Sequence, residues 1–125
     1  MNRADELPVL DRSVTQPNGQ LTIVRGPRSR PGMLYLRGAI QAPIDGELED
    51  KVRALLDRGE RVIVLDLTHT SRIDAAGVGS LVRVYSMAIA AKGSLRIVHP
   101  TEWVRYILKI VGLLDILLID LVNEP

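Results

Sequence analysis

The chain has 125 residues, 46% hydrophobic and 25% charged, with 16 basic against 15 acidic side chains for a net charge of +1. That is the size and composition of one globular domain, and a balance this even excludes the basic face that nucleic-acid phosphates require. The absence of cysteine excludes disulfides, thiolate metal sites and cysteine nucleophiles, which fits a cytoplasmic protein.

Residues 1–20 carry Pro8, Pro17, Asn18 and Gly19 without a sustained apolar period and read as a tail or a loosely attached segment, with no secretory signal in it. Leu21–Arg25 (LTIVR) and Met33–Arg37 (MLYLR) are β-prone runs separated by a Gly/Pro-rich turn, so a hairpin or two neighbouring strands is expected. Beyond Pro43, the residues Ile44, Leu48, Val52, Leu55 and Leu56 recur at helical spacing until Gly59. Val62–Leu67 (VIVLDL) is a nearly continuous apolar run, the pattern of a central parallel strand covered on both faces.

After a loop over Thr68–Ile73, a second helix starts near Asp74, with Val78, Leu81, Val82, Tyr85, Ala88 and Ile89 on its inner stripe and Gly93 closing it. Leu95–Val98 is another strand, and Trp103, Val104, Ile107, Leu108 and Val111 mark a third helix ending at Gly112. Ile116–Ile119 reads as a last strand. The apolar window 111–122 is broken by Asp115 and Asp120 and is too short to span a bilayer of ~20 apolar residues, so no membrane insertion is expected. Alternating strands and helices predict an α/β class: one small domain over 21–120, with a mixed four- to five-stranded sheet, and a short tail over 121–125.

In open α/β sheets ligands gather at the carboxyl ends of strands, and here that edge holds Asp66, Thr68, His69, Thr70, Ser71, Arg72 and Asp74. A hydrolase would need Ser71 as nucleophile, His69 as base and Asp66 or Asp74 as orienting acid, yet both key residues lie on one short loop and no G-x-S-x-G elbow carries the serine. His69 and His99 end different strands without companion carboxylates, so no metal is expected. Gly77, Gly79 and Val82 spell G-x-G-x-x-V, but nine residues separate them from the preceding strand, where a dinucleotide fingerprint follows directly; no cofactor is implied. Asp74 stands where an N-cap belongs. Two glycines in the first turns each cost about 1 kcal/mol against alanine, which calls for a close backbone approach or an open docking surface.

The stretch V-I-V-L-D-L-T-x-T-x-x-I-D-A-A-G-V-G-S-L-V (Val62–Val82), then K-G-S-L-R-I-V and V-x-x-I-L-x-x-V-G-L (Val104–Leu113), resembles the STAS domain family, which includes the bacterial anti-sigma factor antagonists. The resemblance covers about residues 21–120. It implies a small α/β domain with helices largely on one face, acting by binding other proteins and not by turnover. It also implies a partner surface over Thr70, Ser71, Arg72, Ile73, Asp74, Ala75, Ala76, Gly77 and Gly79 for an anti-sigma factor of the kinase type, in regulation of sigma-factor-dependent transcription. An alternative partner in this family is the ATPase of a lipid-transport ABC complex. Phosphoregulated antagonists look like D-S-S-G or D-T-S-G here and take phosphate on the residue before the glycine; this chain has Ala76 at that place and no hydroxyl at Ala75. Thr70, Ser71 and Ser80 are the nearby hydroxyls that could replace it.

Overall fold

The computed structural model describes residues 20–43 and 45–113. The expected last strand at Ile116–Ile119 and both expected tails up to residue 19 and from 121 lie outside the described residues. Strand β1 (Thr22–Arg25) pairs antiparallel with β2 (Met33–Ile40), Ile23 opposite Leu36. The intervening Gly/Pro loop closes on itself: Gly26 N–H donates to the Met33 carbonyl at 2.8 Å and Arg30 N–H to the Pro27 carbonyl at 2.8 Å. Helix α1 (Glu47–Asp57) follows, its first turn carrying Glu47, Glu49 and Asp50 against the positive end of the helix dipole.

Strand β3 (Val62–Asp66) lies between β2 and β5 (Ser94–Val98), parallel to both. The crossovers run through α1 and through α2 (Ala75–Ala90), as parallel pairing demands. Helix α3 (Glu102–Ile110) completes the described chain, capped by the Thr101 hydroxyl.

One apolar cluster joins Leu34 and Leu36 of β2, Ile63 and Leu65 of β3, and Leu95 and Ile97 of β5 to Leu48, Val52 and Leu55 of α1, Leu81, Val84 and Ala88 of α2, and Val104 and Leu108 of α3. These strand residues alternate by two, so they share one face of the sheet, and the three helices lie over it. Among the described residues the opposite face is not equally covered: Val62 is 51% exposed and Val64 half-buried, whereas Ile63 and Leu65 are fully buried. The continuous apolar run therefore overstated the burial of β3, which is one-sided.

Three further expectations are corrected. The segment expected as a loop contains a strand, β4 (Thr70–Ile73), which pairs parallel with the second half of β2 across an irregularity at Gly38/Ala39. Val82 and Ile89, expected on the inner stripe of α2, are 40% and 48% exposed; Leu81, Val84 and Ala88 define the buried line, and at 100° per residue their neighbours turn outward. At the end of α2 the left-handed conformation is taken by Lys92 (φ 64°), not by Gly93, whose missing Cβ instead admits the Arg61 carbonyl.

Candidate functional site

The carboxyl ends of β2 and β4 meet the start of α2, and one residue holds the junction together. Asp74 is the N-cap of α2 in extended backbone conformation, and its Oδ1 accepts the Gly77 N–H at 2.9 Å. Its other oxygen, Oδ2, accepts the N–H of Ala42 at 3.0 Å, from the segment that follows β2. Partial desolvation pushes the Asp74 carboxyl up, but the N–H groups of Ala42, Gly77 and Ala76 donate to it and hold it below its ordinary range. The site thus keeps a charged carboxylate fully engaged by backbone donors.

Gly77 lies directly beneath the end of β2. A Cβ there would fall 1.9 Å from the Ile40 carbonyl oxygen and 2.7 Å from Ile73 Cγ1, so only glycine lets α2 start this close to the strand. Gly79 differs: a Cβ would meet nothing nearer than Arg83 Nη1 at 3.5 Å, an ordinary contact. The close backbone approach accounts for the first glycine and not the second, which sits on the open side of the helix.

The nine sequence-derived positions therefore divide into two groups. Thr70, Ile73 and Gly77 are buried and shape the surface from beneath. The Thr70 hydroxyl donates to the Leu36 carbonyl at 2.8 Å, and the Thr70 carbonyl accepts from the Thr101 hydroxyl at 3.0 Å, tying β4 to β2 and α3. Ser71, Arg72, Asp74 and Ala75 are exposed, and Ala76 and Gly79 are half-buried. Of the three neighbouring hydroxyls, Thr70 and Ser80 are buried and hydrogen-bonded, whereas Ser71 is exposed.

Asp66, offered above as the acid of a hydrolytic triad, accepts instead from the N–H and hydroxyl of Thr68 at 2.9 and 2.6 Å, a local turn contact. His69 lends its carbonyl to Gly38 N–H at 3.0 Å. Among the described residues no group of three or more His, Asp or Glu side chains could hold a metal ion, and no helix is long and apolar enough to cross a membrane.

Two features of the site escaped the sequence reading. Glu49 of α1 is buried and accepts from the Ser80 hydroxyl at 3.1 Å and from Arg83 Nε at 2.8 Å, joining α1 to α2. Its signal was a charged residue flanked by the buried apolar positions Leu48 and Val52. On α3, Trp103, Tyr106 and Ile110 are exposed, the two rings 6.4 Å apart, on the helix whose cap is bonded to β4.

A family model described as "Mlab, STAS domain" matches residues 26–120. The chain is 32% identical over 87 residues to BtrV of Bordetella bronchiseptica, named as an anti-sigma factor antagonist, covering 68% of this chain and 75% of that protein. Among solved structures, an anti-sigma factor antagonist from Mycobacterium paratuberculosis matches with a TM-score of 0.67 at 18% identity, over 82% of this chain and 86% of that one. SpoIIAA in its unphosphorylated form matches with 0.59 at 18% identity, over 75% and 82%. At such identity these two structures establish a shared fold.

Proposed function

From the premise that the chain belongs to the STAS domain family, we propose that it is a non-enzymatic interaction module acting as an antagonist of a kinase-type anti-sigma factor, and thereby on sigma-factor-dependent transcription. The name of the 32%-identical relative supports the role. The proposed contact surface is the exposed part of the junction: Ser71, Arg72, Asp74, Ala75, Ala76 and Gly79.

The observation that carries the mechanism is Ala76, half-buried in the first turn of α2 beside the Asp74 cap. Small side chains keep this end of the helix low enough for another protein to approach its backbone. A phosphate there would add about −1.5 to −2 charge to the docking surface. Alanine offers no oxygen to carry one, so phosphate cannot switch this position, and control passes to the exposed hydroxyl of Ser71, to the abundance of this protein or to its partner.

The test is affinity capture of the tagged full-length chain from its own cells, comparing wild type with Ala76→Asp. Retention of an ATPase-type anti-sigma kinase by wild type, reduced about tenfold or more in the variant, supports the reading; a loss of that size matches removal of one strong interface contact. Equal retention by both proteins overturns it. Recovery of a transporter ATPase together with membrane proteins also overturns it, in favour of an accessory subunit of a lipid-transport ABC complex.

A further inference from the structure

Among the described residues Glu49 is the single buried charged side chain, 8% exposed. A carboxylate taken out of water needs a cation and donors. It finds them on the opposite helix, because Oε2 accepts from Ser80 Oγ and from Arg83 Nε. The other oxygen, Oε1, is buried without a partner, so Arg83 is the cation on which the buried charge depends. Glu49 thereby fixes the inner edge of the Arg83 guanidinium.

The outer edge is unused. The Arg83 side chain is 57% exposed, and its two terminal nitrogens make no hydrogen bond among the described residues. Nη1 lies 3.5 Å from the point where a Cβ on Gly79 would stand, so the guanidinium lies back along α2 beside Gly79, one turn nearer the helix start. No acid in the first turn of α2 competes for it. The carboxylate that caps α2, Asp74, has both oxygens occupied by the N–H groups of Gly77 and Ala42.

We propose that Arg83 is an anchoring residue of the interaction surface and receives an Asp or Glu carboxylate of the partner protein on its free Nη1/Nη2 edge, with Glu49 as its positioning residue. Charge complementarity selects the occupant: a planar fork of two parallel donors matches a carboxylate. Preorganisation strengthens the pairing, because the rotamer freedom of a long side chain is already restricted by Glu49 before the partner arrives. The small residues around it leave the fork accessible, and Val82, exposed one position before it, supplies apolar area that a partner would cover. This inference rests on the antagonist reading and specifies the chemistry of the partner's face.

The test uses the partner that wild-type protein retains and Ala76→Asp loses. Its affinity is measured for wild type, Arg83→Gln, Arg83→Lys and Glu49→Gln in the full-length chain, with thermal melts to verify folding. Arg83→Gln is expected to weaken binding about tenfold or more and to flatten its salt dependence, as loss of a central Arg anchor does. Arg83→Lys should recover part of that affinity, since charge returns without the fork. Glu49→Gln should weaken binding less than Arg83→Gln and have little further effect on the Arg83→Gln background. Folded Arg83 variants that bind as wild type while Ala76→Asp does not would overturn the Arg83 assignment and leave the antagonist reading standing. Failure to recover a partner sensitive to Ala76→Asp would overturn both.

Discussion

Gly77 and the carbonyl of Ile40 lie so close that a single methyl group cannot fit between them: a Cβ on Gly77 would reach 1.9 Å from that oxygen. Helix α2 is therefore seated against the backbone of β2, 37 residues earlier in the chain. Gly77→Ala must push the helix start off the strand and should destabilise the fold by about 1–3 kcal/mol or more, the range for overpacking a tight interior. Gly79→Ala meets only the far end of Arg83, and its higher helix propensity should stabilise by up to about 1 kcal/mol. Urea denaturation of the two variants checks the contrast; equal effects would contradict the geometry.

The Asp74 carboxylate gives the junction a pH dependence. Its carboxyl is held below the ordinary range in the folded protein, so the folded state favours the ionised form more than the unfolded chain does. The resulting stabilisation is complete above the ordinary carboxyl range and is lost as pH falls through the lowered folded value. Asp74→Ala should destabilise by about 0.5–2 kcal/mol near neutrality through loss of the N-cap alone. In Asp74→Asn the stability deficit should shrink progressively as acid protonates the wild-type carboxyl. Melts of wild type and both variants across the acidic range measure this directly; a deficit that grows with acidity would refute it.

Burial separates the hydroxyls near the helix start. Thr70→Val removes the donor from the buried Leu36 carbonyl and should destabilise by about 1–3 kcal/mol, whereas Thr70→Ser keeps that donor and should lose less. Because the Thr70 and Ser80 hydroxyls are buried and bonded, neither should take phosphate in the folded protein. Peptide mapping after incubation with the recovered partner and ATP checks this. Phosphate on Thr70 would mean that β4 parts from β2, and phosphate on Ser80 that α2 parts from α1.

Restoring a hydroxyl at the half-buried position is the complementary test of the proposed mechanism. Ala76→Ser should fold like wild type, since serine is tolerated in a first helical turn. If the recovered partner is a kinase, the variant should gain one phosphate more than wild type on intact-mass measurement, with a matching loss of affinity, and peptide mapping should place that extra phosphate on residue 76 and not on the exposed Ser71. A phosphorylated variant that binds unchanged would remove the first turn of α2 from the docking surface.

Much of the architecture was legible in the chain because it is encoded by local periodicity. The apolar run of Val62–Leu67, the helical recurrence of Leu48, Val52 and Leu55, and the cap-forming Asp74 each announce an element from within a few residues of itself. Strand β4 does not. Thr70-Ser71-Arg72-Ile73 is short and polar in the middle, with only its two ends buried, and it becomes a strand because the second half of β2 offers it a partner. The same limit produced the misplacement of Val82 and Ile89, whose apolar side chains point away from the sheet.

The sequence by itself determined the α/β class, the order of the elements from β1 to α3 apart from β4, and the family resemblance, since these follow from pattern and motif along the chain. Only the tertiary structure decided which residues meet across it. Asp74 reaches Ala42, Gly77 admits Ile40, and Glu49 holds Ser80 and Arg83. Each of these contacts spans more than 30 residues. No local spacing specifies such a pair, because its distance is set by how two helices and a strand pack over a shared apolar face.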